Sequence, residues 1–132
     1  MHRFIRNSQV LIIDDEKDIR ALLKEVFEGE GAEVELAETG SDGFEKMMNS
    51  HFDIVLLDLR MPKMDGFEAI RAIRQVDPLI PIMIITGYAT QENIKKCFEL
   101  GANDYFSKPF DLQQIVRRAE ELIKDRLESD KV

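Results

Sequence analysis

Three short runs constrain the fold most. Val10-Leu11-Ile12-Ile13, Ile54-Val55-Leu56-Leu57 and Ile82-Met83-Ile84-Ile85 are apolar at every position and rich in β-branched residues. A strand with one wet face alternates polar and apolar; a strand apolar throughout must be covered on both faces, as in a parallel sheet. A fourth, shorter run is Tyr105-Phe106. Glu33-Val34-Glu35-Leu36-Ala37 does alternate, and reads as a half-exposed edge strand. The five strand starts, near Val10, Glu33, Asp53, Ile82 and Asp104, are spaced by 23, 20, 29 and 22 residues. Each interval has room for a strand, a crossover helix and two short loops.

The intervals carry helical periodicity. Ile19, Leu22, Leu23, Val26 and Phe27 recur at three- and four-residue steps, as do Leu112, Ile115, Val116, Ala119, Leu122 and Ile123. Phe44, Met47 and Met48 mark a shorter helix, Phe67, Ile70 and Ile73 another, and Ile94, Cys97 and Phe98 a fifth. Thr90 is placed as an N-cap, and Asp111 with Gln114 forms a capping-box pattern. Gly31 and Gly101 stand where helices end in a left-handed residue. The fold class is therefore α/β: a doubly wound (βα)₅ sandwich, a five-stranded parallel sheet with helices on both faces and right-handed crossovers. The core domain is expected over residues 9–124. Residues 1–8 are read as an N-terminal extension, and residues 125–132 as a charged tail or linker stub.

Composition narrows the function classes. With 18 basic and 26 acidic residues the net charge is −8, which argues against direct binding to nucleic acid or to an anionic membrane. The longest apolar stretch, Leu79 to Ile85, is broken by Pro81 and far short of the ~20 residues of a membrane span. The first eight residues lack the apolar core of a secretory signal. One cysteine, Cys97, supplies neither an internal disulfide nor a thiolate zinc cluster, and reads as a buried structural thiol. These features point to a cytoplasmic location.

Open parallel sheets bind ligands beyond the carboxyl ends of their strands. Asp14-Asp15-Glu16 follow the first strand, Asp58 ends the third, Thr86-Gly87 the fourth and Ser107-Lys108-Pro109 the fifth. The second ends in Ala37-Glu38-Thr39, with no comparable cluster. Taken singly, Asp14-Asp15 is an acidic helix start, Thr86 a strand end and Lys108 a surface lysine. Together on one rim they describe a site. Two carboxylates ~4 Å apart repel by about 4 kcal/mol at an effective dielectric near 20, so Asp14, Asp15 and Asp58 call for a cation or a retained proton. An all-oxygen set suits Mg²⁺, which keeps several waters and accepts a phosphoryl oxygen. A carboxylate can itself be a nucleophile and form an aspartyl phosphate. Lys108 and Thr86 add a cation and a hydroxyl donor for the transferring group.

These residues, with Met61-Pro62-Lys63-Met64-Asp65-Gly66 after the third strand, resemble the receiver domains of two-component response regulators over about Val10 to Ile123. The resemblance implies a flavodoxin-like sheet in strand order 2-1-3-4-5. It implies that Asp58 accepts a phosphoryl group from a sensor histidine kinase or a histidine phosphotransfer protein. Mg²⁺, with Mn²⁺ as a substitute, would be held by Asp15, Asp58 and the backbone carbonyl of Arg60, with Asp14 acting through water. Lys108 would pair with the phosphoryl group and Thr86 would hydrogen-bond it. Tyr105 matches the switch aromatic, and Lys108-Pro109 would be a cis peptide. The protein would then be a switch, turning over no separate substrate, that alters the surface of its fourth helix, fifth strand and fifth helix for a downstream effector domain or protein. A phosphorylation-dependent dimer is compatible with this, as is either a stand-alone relay or the receiver of a longer regulator.

Two other classes are weaker. A flavin protein would need amides and hydroxyls after the first strand, where Asp14-Asp15-Glu16 would repel a phosphate. An aspartate-dependent phosphatase would space its acids two apart there, whereas Asp14 and Asp15 are adjacent. A receiver-shaped module that had lost phosphorylation would lack an acid or the lysine, and this chain has all of them. His2 and His51 show no partner pattern, and Lys95-Lys96 reads as a solvated helix face.

Overall fold

The structure, a computed structural model, describes residues 2–59 and 65–129. Its elements alternate: β1 (Gln9–Ile13), α1 (Lys17–Gly29), β2 (Glu33–Ala37), α2 (Gly40–Asn49), β3 (Ile54–Leu57), α3 (Gly66–Val76), β4 (Ile82–Thr86), α4 (Gln91–Leu100), β5 (Asp104–Ser107) and α5 (Leu112–Ser129). The strands form one parallel sheet in the order β2-β1-β3-β4-β5.

Side-chain alternation along the central strands explains why that sheet needs two helical layers. Leu11, Ile13, Val55, Leu57, Ile82 and Ile84 point to one face, where Met47, Ile70, Ile73 and Cys97 cover them from α2, α3 and α4. Val10, Ile12, Ile54, Leu56, Met83 and Ile85 point to the other, beneath Leu23 and Phe27 of α1 and Ile115, Val116, Ala119 and Ile123 of α5. β2 is an edge strand with alternating exposure; β5 is the other edge, half-buried for most of its length.

Local chemistry ends the helices where the sheet needs them to end. The hydroxyls of Thr39 and Thr90 accept the amides of Asp42 and Asn93, and the Asp65 carboxylate accepts that of Glu68. Gly101 closes α4 at φ +112°, a region a side chain disfavours. Gly66 opens α3 against the backbone of Leu59: its amide donates to the Leu59 carbonyl at 2.8 Å, and an added Cβ would lie 2.3 Å from the Leu59 Cα.

Several expectations shift. The buried stripe of α1 is Arg20, Leu23 and Phe27, while Leu22 is exposed, so the inward face is rotated from the one the apolar pattern marked. Met48 is 61% exposed where Met47 is buried, and Phe98 is also exposed. Both sit at the margin of a short helix whose inward face is already filled. Asp111 caps the Gln113 amide, two positions on, not the third-position amide of a capping box. Residues 2–8 pack onto the domain: Ile5 is fully buried in the core, and the Glu120 carboxylate of α5 accepts the Phe4 amide at 2.8 Å. The charged segment after residue 124 extends the last helix, α5, to Ser129, as a tail running on from that helix would.

Candidate functional site

Register assembles the site. Ile13 pairs with Leu57, so the next residues, Asp14 and Asp58, lie side by side past the strand ends. The ladder runs one residue further: the Asp14 amide donates to the Ala37 carbonyl, the Asp58 amide to Ile13 and the Lys108 amide to Thr86. Neighbouring strands lie about 4.8 Å apart, so residues at matched heights meet.

They meet around one ammonium. Lys108 Nζ donates to Asp14 Oδ2 at 3.0 Å, Glu16 Oε1 at 2.8 Å and Asp58 Oδ2 at 3.2 Å. A lysine has three hydrogens and no more, so its donors are fully used. One oxygen from each of Asp14, Asp15, Glu16 and Asp58 can be chosen such that all four lie within 4.8 Å of one another. Asp14 and Asp58 are nearly inaccessible, at 2% and 4% exposure, whereas Asp15 and Glu16 are exposed. An open cleft of about 330 Å³, lined by Asp15, Glu16, Asp58, Gly87 and Tyr88, leads to them.

The electrostatics follow from four carboxylates facing one ammonium. Burial raises the Asp14 carboxyl to about 6; the field of Asp58 adds to this, while the Glu16 amide and Lys108 oppose it. Burial alone would lower Lys108, but its bonds to Glu16 and Asp14 and the fields of Asp58 and Asp14 outweigh that and hold it well above the ordinary lysine range. The ammonium is charged at any physiological pH, and the acids retain an excess of negative charge.

The structure brings together Asp14, Asp15, Asp58 and Lys108 of the residues expected from sequence. Thr86 is buried on the same rim, but its hydroxyl oxygen accepts the Tyr88 amide at 3.1 Å. Tyr105 lies within β5, half-buried, its ring edge-on to Phe98 with centroids 6.1 Å apart. The Lys108-Pro109 bond is cis. The Arg60 carbonyl and Met61-Pro62-Lys63-Met64 lie outside the described residues. His51 is exposed beside Asp53, and Lys96 rests 4.3 Å from the centre of the Phe67 ring; neither joins the site.

Two participants carried no assigned role. Glu16 was visible in the run after β1, but as one more acid at a helix start. Its side chain goes to Lys108 and leaves the α1 amides uncapped. Arg20 is buried and donates to the Asp14 carbonyl at 2.7 Å. An arginine inside an amphipathic helix pattern carries no signal that separates it from a solvated charge.

Chemically, this rim can hold a hard divalent cation among carboxylate oxygens and present one of them as a nucleophile beside a mobile ammonium. Comparison with known proteins identifies the family. The family described as "Response regulator receiver domain" matches residues 10–120. Among curated proteins, the chain is 38% identical over 109 residues to sporulation initiation phosphotransferase F of Bacillus subtilis, covering 83% of this chain and 88% of that one. It is 37% identical over 118 residues to regulatory protein AtoC of Escherichia coli, covering 87% of this chain and only 26% of AtoC. A CheY-like response regulator receiver domain protein from Methanospirillum hungatei superposes with a TM-score of 0.90 at 30% identity, covering 93% of this chain and 98% of that one. The strand order, the acidic rim and these likenesses converge, and the chain belongs to the family of response regulator receiver domains.

Proposed function

We propose that Asp58 accepts a phosphoryl group from the phosphohistidine of a sensor histidine kinase or a histidine phosphotransfer protein. The observation that supports this best is the Asp58 carboxylate itself: buried at the end of a central strand, it opens onto the cleft and shares Lys108 with Asp14 and Glu16. A carboxylate oxygen of Asp58 bonds to phosphorus as the phosphorus–nitrogen bond of the donor breaks. The electron pair leaves with the imidazole, and an acyl phosphate remains on Asp58.

The four clustered carboxylates suit Mg²⁺, or Mn²⁺ in its place: hard oxygens, a surplus of negative charge and an open side. Asp15 and Asp58 would hold it, with the Arg60 carbonyl as a third protein ligand and Asp14 acting through water. Bound there, the ion neutralises charge on the transferring oxygens. Lys108 exchanges carboxylate oxygens for a phosphoryl oxygen, which its flexible stem permits. The Thr86 hydroxyl, accepting from Tyr88, keeps its own proton to donate to the same group. Movement of Thr86 inward frees space for Tyr105, and the surface of α4, β5 and α5 changes for an effector domain or protein. The modification need only bias states a few kcal/mol apart. This is a switch that turns over no separate substrate, a role compatible with a phosphorylation-dependent dimer.

No helix among the described residues is long and apolar enough to cross a membrane. The donor proposed here places the chain in the cytoplasm, and the acidic surface disfavours direct contact with nucleic acid or anionic lipid. The test is intact mass after incubation with Mg²⁺ and acetyl phosphate. One added phosphoryl group is expected, absent in Asp58→Asn and in chelator. Undiminished labelling of Asp58→Asn would overturn the acceptor, and no labelling together with no response to beryllofluoride would overturn the proposal.

A further inference from the structure

Arg20 is the one fully charged side chain buried within the α1 stripe, at 8% exposure. A buried charge is costly unless it is well paired. Its carboxylate partner is Glu38, at 3.3 Å, and that side chain is largely exposed. Its shorter bond is to a backbone oxygen: one guanidinium nitrogen donates to the Asp14 carbonyl at 2.7 Å, within the range of a charge-assisted hydrogen bond. The backbone amide of the same residue donates to the Glu16 carbonyl at 3.1 Å. That backbone bond belongs to the first turn of α1 and needs no particular side chain, so the guanidinium's own hold on the loop Asp14-Asp15-Glu16 is at the Asp14 carbonyl. Two of the loop's amides are engaged as well: Asp14 donates to the Ala37 carbonyl, and Glu16 to the Asp14 carboxylate.

We infer that Arg20 is a positioning residue for the acidic rim: its fork, braced by Glu38, fixes the Asp14 peptide and with it the direction in which Asp14 and Asp15 present their carboxylates to a divalent cation. This rests on the reading of the rim as an Mg²⁺ site. Groups that hold a metal's ligands, and do not touch the metal, typically govern its affinity by about 10- to 100-fold. A lysine at position 20 keeps the charge but has no planar fork, so it cannot hold the Asp14 carbonyl and Glu38 in the same fixed geometry.

The experiment is a calorimetric titration with Mg²⁺ alone, paired with thermal melts in Mg²⁺ and in chelator, for the wild type, Arg20→Met, Arg20→Lys and Glu38→Gln. Arg20→Met is expected to weaken Mg²⁺ binding by about tenfold or more. Its melting temperature should then respond less to Mg²⁺ than the wild type's does. Arg20→Lys should recover part of the affinity, and Glu38→Gln should lose only a few-fold, about the effect of removing a bracing contact. A purely structural role predicts something else: Arg20→Met would melt lower by the same amount in both buffers, with wild-type affinity, and that result would overturn the inference. Should Arg20→Met fail to fold, wild-type affinity in both Arg20→Lys and Glu38→Gln would overturn it equally. Failure of the wild type to bind Mg²⁺ would instead remove the metal-site reading, and this inference with it.

Discussion

Asp14 and Asp77 stand at opposite rims of the same sheet, both partly removed from water, and their carboxyls are shifted in opposite directions. At the carboxyl rim burial raises Asp14 to about 6, and the field of Asp58 adds to it while the Glu16 amide and Lys108 oppose it without overcoming it. At the amino rim burial also pushes Asp77 up, but the amides of Leu79 and Ile80 and the Arg126 guanidinium, 2.9 Å away, overcome it and hold Asp77 below its usual range. The neighbouring Arg74 is lowered, because burial outweighs the field of Asp77, yet its hydrogen bonds are well placed. It donates to the carbonyls of Gly101, Ile80 and Asp77 and to the Asn103 side chain, tying the ends of α3 and α4 to the start of β4. The amino rim is a satisfied network that stabilises the fold. The carboxyl rim carries unbalanced charge that a cation or a phosphoryl group can rearrange. A receiver needs both: a site poised to change and a scaffold that does not.

The largest expected effect breaks the scaffold. Arg74→Met removes the donor to several carbonyls and should cost about 3 kcal/mol. Urea denaturation should give that loss equally in Mg²⁺ and in chelator; dependence on Mg²⁺ would mean that the two rims are coupled. Next is the metal itself. At a hundred times its dissociation constant, Mg²⁺ should stabilise the wild type by about 2.7 kcal/mol. Asp58→Ala should abolish that gain, and an unchanged wild-type melting temperature in saturating Mg²⁺ would contradict the site.

The third effect is a pH dependence with opposite signs at the two rims. Asp14 is raised from 3.8 to about 6, so the folded state binds more protons than the unfolded one across that window. Without metal, stability should therefore fall as pH rises from about 4 to 6, by on the order of 1–2 kcal/mol after allowance for solvent screening. Asp14→Asn should flatten this limb in urea titrations. Asp77, depressed, contributes stability that is present above its unfolded value and lost as pH falls through its folded value. Asp77→Asn should remove that acid limb and leave the limb between pH 4 and 6 unchanged. The smallest effect is Arg126→Met, expected to cost about 1 kcal/mol because the pair is only partly buried. A chevron analysis in chelator would read it, and a cost above that of Arg74→Met would reverse the ranking within the amino rim.

Sequence by itself determined the sheet. Uninterrupted apolar runs at Val10, Ile54 and Ile82 require cover on both faces, and the intervals between them leave room only for crossovers. Alternation at Glu33–Ala37 marked the edge that β2 occupies. It also placed Asp14, Asp15, Asp58, Thr86 and Lys108 on one rim, because in a parallel sheet every strand's carboxyl end lies on the same side. Tertiary structure decided what those side chains do there. Lys108 divides its three hydrogens among Asp14, Glu16 and Asp58 because strand register brings residues 50 to 94 positions away to hydrogen-bonding distance, and no local pattern encodes such a distance. The inward rotation of α1 that buries Arg20 and exposes Leu22 depends on how the helix seats against the sheet; periodicity alone left a stripe too broad to resolve it. The packing of Ile5 into the core and the capture of the Phe4 amide by Glu120 have no local signature at all. Periodic burial is a property of neighbours along the chain and can be read from sequence. Partner choice among charged groups belongs to neighbours in space, and the fold must close before it is determined.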